Sequence, residues 1–288
     1  MKMQRVSVHG GHSGQFCSHA KDTLEEVVQA YIAQGFAWVG LTDHMPPSHD
    51  AYLYPEERTL GLTAAAMAER FGRYMTEARR LQAAYADQIE ILVGFETEDT
   101  PGSLELARHL IAKYAPDYIV GGVHHIDSIP FDYSADEYRR AAEARGGLEG
   151  LYCAYFDRQL HMIETLQPQV VAHFDLIRIF DSTYRRQIMR PEVQNRIKRN
   201  LERIRDLGLI LDFNVAALKK GASEPYVCQP ILVQARYLGL SLVPGDDSHG
   251  VAQVGLHLDE GIAILQRMGF DTRWPKPGRF SEKPEARI

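Results

Sequence analysis

The feature that most constrains this chain is an alternation, repeated seven times, of short apolar runs with longer amphipathic stretches. Apolar runs at 5–9, 37–42, 90–94, 118–123, 170–173, 209–214 and 241–244 have strand length. Segments of helical period lie near 22–34, 63–86, 103–114, 148–166, 190–207, 227–238 and 258–268. Thr63 before Ala-Ala-Ala-Met and Pro191 before Glu-Val mark helix starts. Repeated strand–helix units require a parallel sheet, and closure into a barrel is the economical arrangement. The expected fold is therefore α/β, a distorted seven-stranded (β/α)7 barrel. No Pro/Gly/Ser-rich linker splits the chain, so 1–273 reads as a single domain and 274–288 as a polar, Pro-rich tail. Inserts near 45–62 and 126–147, rich in Pro, Tyr and charge, read as lids.

Each expected strand ends in histidines or acids. The first runs into His9-Gly-Gly-His12, with His19 beyond; the second ends in Thr42-Asp43-His44 and the third in Gly94-Phe95-Glu96. The fourth and fifth deliver His124-His125 and His173, the sixth Asp212 and Asn214, the seventh Asp246-Asp247-Ser248-His249. Strand C-termini are where parallel α/β barrels place catalytic groups, and imidazole with carboxylate suits zinc, manganese or iron. One such histidine means little. Repetition on every strand points to a metal site at the C-terminal ends, because packing alone would bury many polar groups without partners. His109, His161 and His257 fall in or beside helical patterns and read as structural or surface residues, as does His49 in its insert. Cys17 reads as packing.

Composition narrows the partners. A formal charge of −6 argues against a nucleic-acid polymer as partner, yet bound cations would let a small phosphate ester enter. No apolar run is long enough to span a membrane. Three widely spaced cysteines make a poor disulfide framework, and the expected setting is cytoplasmic.

In sequence order, these motifs resemble the polymerase and histidinol phosphatase (PHP) superfamily, over roughly 5–257. The resemblance rests on His9-Gly-Gly-His12, Cys17-Ser-His19-Ala, Thr42-Asp43-His44, Gly94-Phe-Glu96, Gly122-Val-His124, Asp212-Phe-Asn214 and Asp247-Ser-His249. Ala172-His173-Phe-Asp175-Leu-Ile-Arg178 points toward the histidinol-phosphate phosphatase branch. The resemblance implies a barrel of the PHP type and three divalent metal ions (Zn, Mn or Fe). One ion would take His9 and His12 with Glu96 and Asp247, a second His19, His44 and His249, and a third His124 and His173 with Glu96 bridging. The family pattern is His-X-His, but Gly10 stands where its first histidine belongs. Either the glycines let a bulged turn bring His9 into that place, or the first ion has one ligand fewer; the bulge is the preferred reading.

The implied reaction is hydrolysis of L-histidinol phosphate to L-histidinol and phosphate by a metal-bound hydroxide, the late step of histidine synthesis. Arg178 is the expected phosphate contact and a catalytic candidate; Asp43 orients a ligand or relays a proton. His125 and Asn214 are further substrate-binding candidates, with bracing the other reading for Asn214. The ammonium and imidazole of the substrate call for a carboxylate, with Asp50, Glu56, Glu57, Asp132 and Asp136 as candidates. Two other readings stand beside this one: a PHP phosphoesterase for a different small phosphate or nucleotide, and a metal-binding regulatory domain without turnover.

Overall fold

The protein, seen here as a computed structural model, is described over residues 4–278. Strands form at all seven expected places: β1 (Arg5–Ser7), β2 (Phe36–Leu41), β3 (Glu90–Val93), β5 (Val120–Gly121), β8 (Val170–Val171), β9 (Ile210–Asn214) and β10 (Ser241–Gly245). Three more were not foreseen: β4 (Glu96–Thr97), β6 (His125–Ile126) and β7 (Ile129–Pro130). The first lies just beyond the expected third strand, where Glu96 and Thr97 pair with Val120 and Gly121. The other two form an antiparallel hairpin inside the second insert.

The remaining strands make two parallel sheets, ordered β1-β2-β3 and β10-β9-β8-β5-β4. Backbone hydrogen bonds run between them as well. Val8 N–H donates to Pro244 O at 2.9 Å, and Glu96 N–H to Asp43 O at 3.1 Å. The α/β class with a parallel sheet is thus established. Every residue of β9 is buried, as expected for a strand covered on both faces.

The seven expected helices occur at Leu24–Ala33, Ala64–Ala84, Ser103–Tyr114, Leu148–Leu166, Pro191–Asp206, Gln229–Tyr237 and Leu258–Arg267. Thr23 and Glu26 close the first with a reciprocal capping box. Thr63 Oγ1 accepts from Ala66 N, and Pro191 occupies the first turn of its helix. The sheet interior is filled by large side chains. Tyr118, fully buried, donates to Val8 O at 2.6 Å. Its hydroxyl would lie 1.7 Å from a Cβ at position 40, so only Gly40 fits there.

Both inserts fold onto the C-terminal ends of the strands. The first carries a helix at Pro55–Thr59, and the second adds a helix at Ala135–Ala144 to its hairpin. Trp274, expected to open the tail, is buried and donates from its indole to Gln4 O at 3.0 Å. Residues 279–288 of that expected tail lie outside the described residues. No helix among the described residues is long and apolar enough to cross a membrane.

Candidate metal centre

The backbone turns sharply where the strands stop. His173, two residues past β8, has φ +21°, and Asp247, two past β10, has φ +46°. Left-handed backbone at non-glycine residues costs about 1–3 kcal/mol each and persists where surrounding contacts over-determine it. Here it swings both side chains toward one cavity, of about 290 Å³. The cavity is lined by His19, His44, Glu96, His124, His173, Asp247 and His249, together with Tyr54, Glu56, Asp132, Tyr133, Leu176, Lys220 and Tyr226.

His9 and His12 lie beneath, fully buried. His9 Nε2 is 3.2 Å from Glu96 Oε2, and its ring centroid lies 5.8 Å from that of His12 and 5.6 Å from that of His173. Position 10 could not hold a histidine, since a Cβ there would meet Asp246 Oδ1 at 2.4 Å and the Tyr31 hydroxyl at 2.7 Å. With φ +73° at Gly11, the turn delivers His9 and His12 to the cluster on either side of the glycine pair.

Glu96 is the hub. One oxygen, Oε1, is 3.0 Å from His124 Nε2 and 2.8 Å from His173 Nε2; the other, Oε2, is 3.2 Å from both His9 Nε2 and His44 Nδ1. His12 Nε2 sits 3.4 Å from Asp247 Oδ1. Three sets of possible ligands bring their atoms within 4.8 Å of one another: His9, Glu96 and His173; His9, His12 and Asp247; and His12, Cys17, His44 and His249. Cys17, read from sequence as packing, therefore faces the cluster. His19 stands at the rim with its side chain 47% exposed, stacked at 4.8 Å on His249.

Outer partners fix the rings. Asp212 Oδ2 lies 2.8 Å from His9 Nδ1, accepts from Asn214 Nδ2 at 2.9 Å and from His173 N at 3.3 Å. Asp132 Oδ2 holds His124 Nδ1 at 2.8 Å. A carboxylate on one ring nitrogen sets the tautomer and leaves the other free to ligate. Lys219 Nζ donates to the carbonyls of Asp246 and Asp247 at 3.0 and 2.7 Å, pinning the strained loop.

Electrostatics agree with this grouping. Burial works against a charge on Glu96, but the imidazoles of His9, His124 and His44 hold its carboxyl well below the usual range. Burial likewise opposes charge on His9, and Glu96, Asp247 and Asp212 override it, pushing the imidazole well above its ordinary value. His12 is pushed up to about 9 against its burial by the nearby carboxylates of Asp247 and Asp43. Burial holds His44 and His249 well below the ordinary imidazole value. Even so, His9 Nε2, both nitrogens of His12 and both of His44 have no hydrogen-bond partner. An unsatisfied buried polar group costs about 1–3 kcal/mol, so this donor set fits cations.

Two expected contacts, those of Arg178 and His125, are corrected, while for Asn214 and Asp43 the bracing and orienting readings fit the geometry. Arg178 is buried away from the cavity: Nε bonds Asp175 Oδ2 at 2.9 Å and Nη2 the carbonyls of Glu224 and Pro225, while the guanidinium stacks over Tyr226 at 4.6 Å. It braces a wall residue instead of reaching phosphate, because the turn Leu176–Arg178 points it back into the fold. Asn214 is fully buried, with its carbonyl on Ala216 N and its amide on Asp212 and Asp247; it braces. His125 faces a neighbouring compartment, 3.1 Å from Glu98 Oε2. Asp43 does not line this cavity and sits 3.5 Å from His12 Nδ1, so it orients a ring. Of the insert carboxylates, Glu56 and Asp132 line the cavity, whereas Asp50 caps Ala64 N and Asp136 pairs with Arg139.

The family model described as PHP domain matches residues 10–216. The chain belongs to the PHP-domain family. A Schizosaccharomyces pombe protein named "Probable histidinol-phosphatase" is 40% identical over 269 residues, covering 92% of this chain and 87% of that protein. HisK from Listeria monocytogenes shares the fold with a TM-score of 0.79 at 24% identity, covering 89% of this chain and 99% of its own. So does the histidinol phosphate phosphatase of Lactococcus lactis, solved with Zn, L-histidinol and phosphate, at TM-score 0.69 and 17% identity, over 93% of this chain and 95% of that one.

Proposed function

We propose that this PHP-domain chain is a metal-dependent phosphomonoester hydrolase that converts L-histidinol phosphate and water to L-histidinol and phosphate. The observation that carries the chemistry is the convergence of unpaired, buried imidazole nitrogens on Glu96 and Asp247. The substrate rests on the relatives, whose names and bound molecules agree.

In this reading β3 and β4 form one bent strand, and the Val8-to-Pro244 bond closes a ring of seven strands. That ring is the distorted PHP barrel, one domain reaching at least to Trp274. Three divalent ions would be held by His9, His12, Glu96 and Asp247; by His19, His44 and His249; and by His124, His173 and Glu96. Cys17 stands close enough to the second set to compete with His19. Such ions supply Lewis-acid stabilisation of phosphoryl oxygens and acidify water to a pKa near 7.

The residues of the chain do the rest. Glu96 and Asp247 offset the cationic charge of the centre, and Asp212 and Asp132 hold His9 and His124 in one tautomer. Asp43 keeps the His12 ring in place. Tyr54 and Tyr133, from the two inserts, narrow the mouth with ring centroids 6.1 Å apart and limit water around the reacting bond.

The test is a steady-state comparison of phosphate release from histidinol phosphate, nucleotides and sugar phosphates by metal-loaded protein. Preference for histidinol phosphate is expected. Equal turnover of all esters would remove the substrate assignment, and inertness toward all of them would remove the hydrolase reading.

A further inference from the structure

The cavity has more polar equipment than phosphate hydrolysis needs. Glu96 and Asp247 are tied to the histidine cluster, and Asp132, although its Oδ1 is also buried without a hydrogen-bond partner, is held to that cluster by Oδ2, 2.8 Å from His124 Nδ1. Behind the wall, Glu57 accepts from Tyr54 N at 2.9 Å, and Glu98 serves His125 and the Tyr54 hydroxyl. Glu56 is placed differently. It projects from the first insert into the cavity, its nearest cluster member is His19 at 4.0 Å, and its Oε2 is buried without a hydrogen-bond partner. The Tyr133 hydroxyl lies beside it, and the Tyr54 and Tyr133 rings flank the same stretch of wall.

We propose that Glu56 is the specificity-determining residue that binds the ammonium group of the substrate. This rests on the histidinol-phosphate reading above. An acid in the wall of a phosphatase cavity repels phosphate, so its presence is costly unless the other end of the substrate is cationic. The substrate amine is that cation at neutral pH, whereas an imidazole of pKa about 6.5 is mostly neutral. Aromatic faces next to the carboxylate add attraction for an ammonium and none for an anion. The two ends of the substrate are thereby sorted: phosphate to the cation-holding floor, amine to Glu56.

Calorimetric titration of the metal-loaded protein with L-histidinol, with inorganic phosphate and with the amine-free analogue 3-(imidazol-4-yl)propan-1-ol tests this. Glu56→Gln should bind L-histidinol about tenfold or more weakly, phosphate within about twofold of wild type, and the amine-free analogue no differently from wild type. Unchanged L-histidinol binding would overturn the assignment, as would an equal loss for phosphate or for the analogue. If the wild-type protein fails to hydrolyse histidinol phosphate, the underlying reading falls and takes Glu56 with it. If it hydrolyses the ester while Glu56→Gln binds L-histidinol normally, Glu56 alone falls.

Discussion

The floor and the wall of the cavity are built on different terms. On the floor, His9, His12, Glu96 and His173 are nearly inaccessible, and Asp212, Asp43 and Asp132 lock His9, His12 and the adjoining His124 from outside. The wall consists of side chains from the inserts, such as Glu56, whose side chain is 31% exposed, and the more exposed Tyr133. A rigid floor holds a fixed charge arrangement that any phosphate ester could use. A looser wall decides which ester stays.

Substitutions on the two sides should therefore fail differently. The largest effect is expected at the hub: Glu96→Gln should lower kcat by more than about a hundredfold, beyond the 10–100-fold range of outer partners, and reduce bound metal. Full metal content with normal kcat would mean that the floor is not the reaction centre. Next comes Asp212→Asn, which keeps the shape but loosens the His9 tautomer; metal affinity in chelator competition should drop about 10–100-fold. Lys219→Met frees the Asp246 and Asp247 carbonyls, and metal should leave about tenfold faster, at the low end of that outer-partner range, while L-histidinol affinity of the reloaded protein is kept. The smallest effect belongs to the wall. Tyr133→Phe keeps the ring and removes the hydroxyl beside Glu56, so KM should rise less than about threefold with kcat unchanged. A fall in kcat there would blur the division between the two regions.

The same division governs what could be read in the sequence. Floor residues follow strands, and strands announce themselves by apolar runs, so the convergence of His44, Glu96, His124, His173 and Asp247 was legible in the sequence, whereas the Gly10 departure left His9 open. Direction was not. Arg178 and Asn214 stand near the right strand ends, yet one sits in a tight turn that aims inward and the other is consumed by Asp212 and Asp247. His125 follows a ligand candidate in sequence but opens the hairpin strand β6 and meets Glu98 instead. Cys17 gave no signal, because a cysteine among histidines packs as readily as it ligates. In the inserts no period connects a residue to a face, so Glu56 and Asp132 could be named only among five acids. The expected third strand stopped at Gly94, so the short strand β4 just beyond it went unread.

The most direct test of the central claim is anomalous scattering from crystals of the protein grown with zinc or manganese. The account predicts ions about 2.0–2.3 Å from the imidazole nitrogens and carboxylate oxygens of the floor, with Glu96 touching two of them and His9 Nε2 among the ligands. Crystals that diffract with no anomalous peak among His9, His12, Glu96 and Asp247 at saturating metal would contradict it.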